Sequence, residues 1–178
     1  EDCKYYDPDE VEVKTILNNV GLKGKVLLDI GAGIGRLSFP LAKYVGEVVA
    51  LDSDKRFKDY FKKHAKKNIK FVNKTAKNYL KDNRKFDVIL LAWPTINFKF
   101  INLIKGSMGA NSRLIFITCD YNSDYETIVD KIKEVRRNYD KEINNKRRFL
   151  SILPKKFKVL FKRRIKTKYV YPNERIAF

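Results

Sequence analysis

The sequence predicts an α/β fold with a mostly parallel sheet and helices on both faces, and three observations predict it. Short apolar runs of strand length alternate along the chain with stretches of helical periodicity, the pattern of strands joined by crossover helices. One run, residues 26–30, opens into three alternately spaced glycines, Gly31, Gly33 and Gly35, and then an amphipathic stretch. A second run, residues 47–52, ends on an acid. Parallel neighbours cannot be joined by a tight hairpin, so the helix-patterned segments between the runs are what the connections require.

The elements follow in order. Asp7 before Pro8 reads as a helix start, the acid capping free N–H groups and the proline taking the first turn. Val11, Val13, Ile16, Leu17 and Val20 form its apolar stripe, which stops at Gly21. After the first strand, residues 36–45 place Leu37, Leu41, Tyr44 and Val45 at helical spacing. Residues 55–67 read as a helix with Phe57, Tyr60, Phe61 and His64 on one side. Strands at 68–73 and 86–92 flank a short helix at 77–80. A helix carrying Phe98, Ile101, Leu103 and Ile104, closed by Gly106 or Gly109, leads to a fifth strand at 113–119. Residues 125–146 are helical in pattern, and residues 157–161, 169–171 and 176–178 suggest further strands.

The glycine loop carries the chemistry. Glycine lacks a Cβ, so the chain can turn tightly at positive φ and approach a ligand closely. The loop sits at a strand-to-helix junction, the ligand crevice of open α/β sheets. Arg36 stands where the dinucleotide fingerprint would need its last glycine, which disfavours a nicotinamide-dependent dehydrogenase. The order Asp29-x-Gly31-x-Gly33-x-Gly35 instead resembles motif I of the class I S-adenosylmethionine-dependent methyltransferases, and the similarity runs over about residues 11–120.

That resemblance implies a single Rossmann-like domain over residues 1–178, with an N-terminal helix in 1–24, a cofactor-binding half in 25–120, and a C-terminal helix and basic hairpin in 121–178. It implies a seven-stranded sheet closed by an antiparallel hairpin, with S-adenosylmethionine as cofactor. Asp29, Gly31, Ala32, Gly33 and Gly35 would surround its amino-acid portion, with Asp29 also holding loop N–H groups. Asp52 and Ser53 would take the ribose, where two vicinal hydroxyls can donate to one carboxylate. Thr75 and Ala76 would face adenine, and Ala92 would close the strand end. Trp93 and Pro94 would border the acceptor; as aromatics at a strand end and on an N-terminal lid, Trp93, Tyr5 and Tyr6 suit covering the cofactor or stacking a planar substrate, and ordinary core packing is the competing account. Lys74-Thr75-Ala76 replaces the family's common Gly-Asp-Ala, so adenine would lose a charged acceptor. Ala92-Trp93-Pro94-Thr95 replaces the Asn/Asp-Pro-Pro-aromatic run of enzymes that methylate base amines, which argues against that chemistry here. No catalytic base is evident: His64, the one histidine, lies in a lysine-rich run and reads as solvated or packed.

Composition bounds the rest. A chain of 178 residues suits one domain. Lys and Arg number 39 against 21 Asp and Glu, a net charge of +18, which makes RNA or another polyanion the partner to expect. A solvated basic surface, set by genomic base composition or a hot habitat, competes with that account. The basic residues concentrate at 55–85 and 131–168, the second region interleaved with Phe149, Phe157, Phe161, Tyr169 and Tyr171. Cys3 and Cys119 lie far apart with no metal-ligand spacing, so free thiols, no metal and a cytoplasmic location are expected. No apolar run is long enough to span a bilayer, and the first residues lack a signal-peptide pattern. The expected function is methyl transfer to an unidentified acceptor, RNA slightly favoured, and the alternative is a non-catalytic cofactor- or nucleic-acid-binding module on the same fold.

Overall fold

The computed structural model describes residues 7–82, 84–92 and 99–117, with residues 151, 158 and 160 besides. Five strands, β1 (Val26–Ile30), β2 (Glu47–Asp52), β3 (Ile69–Asn73), β4 (Phe86–Ala92) and β5 (Met108–Ile117), form one sheet in the order β3-β2-β1-β4-β5. Every neighbouring pair is parallel. The strand order reverses at β1, so a crevice opens beyond the carboxyl ends of β1 and β4. The α/β, parallel expectation is met over these five strands. Two further strands and the closing hairpin lie outside the described residues, as do the helix expected at 125–146 and Cys119.

Alternation along the strands divides the core into two layers. Leu27, Val48, Ala50, Val88 and Leu90 face one side of the sheet. There they meet α1 (Val11–Asn19), α2 (Ser38–Leu41) and α3 (Phe57–His64) through Val13, Ile16, Leu41 and Phe61. Leu28, Val49, Leu51, Ile89 and Leu91 face the other side, where Leu80 follows α4 (Ala76–Tyr79) and Ile104 projects from α5 (Lys99–Gly106). Strands buried on both faces explain the near-continuous apolar runs in the sequence.

Several boundaries differ from the sequence reading. Asp7 does satisfy helix N–H groups, accepting from Val11 (2.9 Å) and Glu12 (2.8 Å), but Pro8 stays in the turn ahead of α1 and Glu10, at φ 52°, occupies the position before the helix. Helix α2 is four residues long. Beyond it Lys43 and Tyr44 bond to carbonyls three residues back, a tighter winding that swings Tyr44 out to 48% exposure while Leu37, Leu41 and Val45 stay buried. Helix α3 is shorter than expected, and His64 is exposed, its ring 4.5 Å from that of Tyr60. Gly106 ends α5, whereas Gly109 falls inside β5. That strand starts five residues earlier than expected because an irregularity in register between Phe86 and Val88 lets residues 108–112 continue beside β4.

Gly35 has a packing reason to be glycine. It holds φ +86°, and a Cβ there would come 2.4 Å from Phe39 Cε2 and 2.9 Å from Phe61 Cζ, two rings that stack with centroids 5.0 Å apart. Gly35→Ala is expected to destabilise the domain by about 3 kcal/mol, from overpacking plus a strained left-handed backbone. Urea unfolding of the variant measures this directly.

Candidate cofactor crevice

Because the strands are parallel, the residues that follow β1, β2 and β3 emerge at one end of the sheet. Gly31 and Gly33 turn the chain out of β1 with φ of 77° and 54°, and a Cβ on either would meet nothing within 4 Å. The loop is fastened to β2 from below: Gly31 and Ala32 donate their N–H groups to the Leu51 carbonyl at 2.8 and 3.1 Å. Gly35 closes the turn by donating to the Ala32 carbonyl at 2.8 Å.

Asp52 completes the fastening. One carboxylate oxygen accepts the Gly33 N–H at 2.9 Å, and the other accepts the Asp54 N–H at 2.8 Å. Asn73, at the end of β3, donates its side-chain amide to the Asp52 carbonyl at 3.0 Å, so the ends of β2 and β3 are tied as well. Each carboxylate oxygen keeps a further lone pair for an outside donor. Asp54 is held below the usual carboxylate range by the Arg56 guanidinium and N–H.

Asp29 does a different job from the one its position implied. Its side chain follows Leu27 onto the α2 face and accepts the Ser38 hydroxyl at 2.7 Å, and the loop N–H bond that the resemblance assigned to it belongs to Asp52. At 3% exposure its carboxyl is pushed up to about 6, mainly by burial, with Asp52 adding to the rise and the Ser38 hydrogen bond and Arg36 charge opposing it. Arg36 in turn pairs with Glu12 of α1 at 2.5 Å, Glu12 being 1% exposed. Neither Ser38 nor the Glu12–Arg36 pair stood out as site residues in the sequence. The signal was there in Glu12, a charge set between Val11 and Val13 and four residues before Ile16 on an otherwise apolar face.

The other expected residues are partly brought together. Ser53 and Thr75 are exposed at the strand ends beside half-buried Ala76, and half-buried Ala92 ends β4 at the same edge. Thr75 caps α4, its hydroxyl accepting the Asn78 N–H at 3.3 Å. Gly35 turns its Cα toward the Phe39 and Phe61 rings, so only its backbone is available to a ligand. Tyr5, Tyr6, Trp93 and Pro94 lie outside the described residues. A separate cleft of about 340 Å³ lies beside the loop, lined by Asp7, Glu10, Arg36, Phe39 and Tyr60 among others, without Gly31, Gly33 or Asp52.

A glycine turn open to solvent, a carboxylate at the next strand end and a 3-2-1-4-5 parallel sheet resemble the cofactor-binding part of a class I, Rossmann-like S-adenosylmethionine-dependent methyltransferase domain. Residues 27–102 match the family model described as a methyltransferase domain. Among curated proteins the chain is similar to the ubiquinone biosynthesis O-methyltransferase of Pelagibacter ubique, 48% identical over 71 residues that make up 39% of this chain and 30% of that one. It is 37% identical to the enzyme of the same name from Coxiella burnetii over 82 residues, 44% of this chain and 35% of that one. The chain thus spans about a third of the length of these relatives. In fold it resembles the precorrin-6y C5,15-methyltransferase of Geobacter metallireducens, with a TM-score of 0.54, 18% identity and 67% of each chain covered. S-adenosylmethionine is the cofactor of this class.

The elevated Asp29 carboxyl has a measurable consequence. Between pH 3.8 and about 6 the folded state holds a proton that the unfolded chain has released, so this group's contribution to stability falls as pH rises through that window and stays low above it. The full change is about 3 kcal/mol, one pKa unit being worth about 1.4 kcal/mol. Asp29→Asn is expected to remove that slope, read as the difference between the stability profiles of the variant and the parent protein in urea unfolding at successive pH values.

Proposed function

We propose that the chain binds S-adenosylmethionine in the crevice and transfers its methyl group to a small-molecule acceptor. The observation that carries the cofactor assignment is the Gly33 N–H to Asp52 bond, which holds an open glycine turn and a half-used carboxylate in one fixed relation. In this reading the backbone of Gly31, Ala32 and Gly33 lies against the amino-acid portion of the cofactor, where no side chain intervenes. The free lone pairs of Asp52 accept from the ribose hydroxyls, and Thr75 and Ala76 flank adenine. Asp29, with Ser38 and Arg36, fixes the α2 side of the loop and places negative charge beneath the cationic part of the ligand. Bound S-adenosylmethionine supplies an electrophilic methyl carbon, and alignment of an acceptor with it provides much of the acceleration.

The relatives' names favour a small hydroxyl-bearing acceptor over RNA. The charge at the crevice agrees, since Asp29, Asp52 and Asp54 gather there while Arg36 and Arg56 are each paired with a carboxylate. Trp93 and Pro94 keep their proposed place beside the acceptor, and a cytoplasmic setting suits two cysteines without metal-ligand spacing.

Isothermal titration with S-adenosylmethionine tests the cofactor site. Gly33→Arg is expected to abolish binding, since its side chain would enter the open turn. Asp52→Ala is expected to weaken binding at least about tenfold, the scale of losing hydrogen bonds to a charged group. Unchanged affinity in both folded variants would overturn the assignment. Turnover is read separately: a protein that binds the cofactor but labels no metabolite, protein or RNA fraction is a binding module rather than an enzyme.

A further inference from the structure

The end of the sheet opposite the crevice is built differently. Three turns enter the strands there, residues 20–25 before β1, 42–46 before β2 and 65–68 before β3, and hydrogen bonds lace them into one rim. Gly46 donates its N–H to the Lys25 carbonyl at 2.9 Å, and a Cβ on Gly46 would come 3.0 Å from the Gly24 oxygen. Asn68 donates its side-chain amide to the Ala42 carbonyl at 2.8 Å and the Val45 carbonyl at 3.3 Å. The side chains this rim presents to solvent include Lys23, Lys43, Lys66 and Lys67, continued by Lys62 and Lys63 from the end of α3, all exposed. Among the described residues none of the six forms an ion pair. Two acids at this end of the sheet are already engaged: Glu47 by Arg84 at 3.1 Å, and Asp87 by the Val26 N–H at 2.8 Å. Tyr44, one of the exposed large hydrophobic side chains, follows Lys43 in the turn whose Ala42 and Val45 carbonyls Asn68 holds.

We propose that this rim is a docking surface for single-stranded RNA, on the face of the domain away from the cofactor crevice. Lysines that form no ion pair among the described residues attract phosphates and release their counterions, and an exposed aromatic ring among them offers a platform on which a base stacks. The pairing of charge with a stacking ring favours a nucleic acid over an anionic membrane, because among the described residues of the rim Tyr44 is the large hydrophobic side chain that stands exposed, with no cluster of apolar side chains beside it to enter lipid. Because the rim and the crevice lie at opposite ends of the strands, RNA held here tethers the domain and is not the methyl acceptor. The inference is independent of the crevice assignment.

Fluorescence anisotropy with a labelled oligouridylate, over a series of salt concentrations, tests it in the full chain. The triple variant Lys43→Glu, Lys66→Glu, Lys67→Glu is expected to lose about tenfold or more in affinity at low salt and to lower the salt slope by about two, three phosphate contacts at about 0.7 each. Tyr44→Ala is expected to weaken binding about fivefold or more while leaving that slope unchanged, stacking being insensitive to salt. The urea-unfolding midpoint and far-ultraviolet circular dichroism of the same preparations should match those of the parent protein and certify the fold. The proposal is overturned if the triple variant binds the oligonucleotide with unchanged affinity and slope, or if the parent protein binds phosphatidylglycerol vesicles and not the oligonucleotide.

Discussion

The carboxylate of Asp52 accepts the Gly33 N–H with one oxygen and the Asp54 N–H with the other, and the crevice takes its shape from those two bonds. They join the loop after β1 to the turn after β2, so the separation of the glycine backbone from the acid is set before any ligand arrives. Parallel pairing makes this possible, because Ile30 lies beside Leu51 in register and both chains leave the sheet at the same level. A ligand that bridges loop and acid meets groups already in place and loses less to ordering them.

Polar groups beneath the loop extend this fixed arrangement into the core. Asp29, Ser38, Arg36 and Glu12 run from β1 through the start of α2 to α1, and removing one member of a buried charged pair costs far more than an exposed pair contributes. The raised Asp29 carboxyl shows that burial outweighs the favourable contacts around it. Such a cost, kept beside the crevice, is what local preorganisation of charge looks like when stability is not the only requirement.

Much of this was legible from residue order. The apolar runs of β1, β2 and β4 are buried on both faces, and burial on both faces is what writes a continuous apolar segment into a sequence. The three glycines and Asp52 declared themselves through backbone freedom and charge at strand ends. What was not legible depends on side-chain direction. Alternation sends Asp29 toward α2 instead of the loop, so the acid nearest the glycines in sequence is not the one that bonds them. Likewise Gly35 resembles its two neighbours in spacing but meets aromatic rings where they meet open space. The short α2 was hidden too, since helical periodicity is preserved at Leu37, Leu41 and Val45 even where the chain winds more tightly.

The outermost position of β3 among the described strands bears on how the protein behaves at high concentration. An uncovered strand is a template onto which another chain can add, and natural sheets discourage this with short edges and lysines. Strand β3 is five residues long and carries exposed Lys70 and Asn73 at positions that a newcomer would have to pass. With the overall positive charge of the molecule, the short strand and its exposed lysine oppose edge-to-edge addition of a second chain.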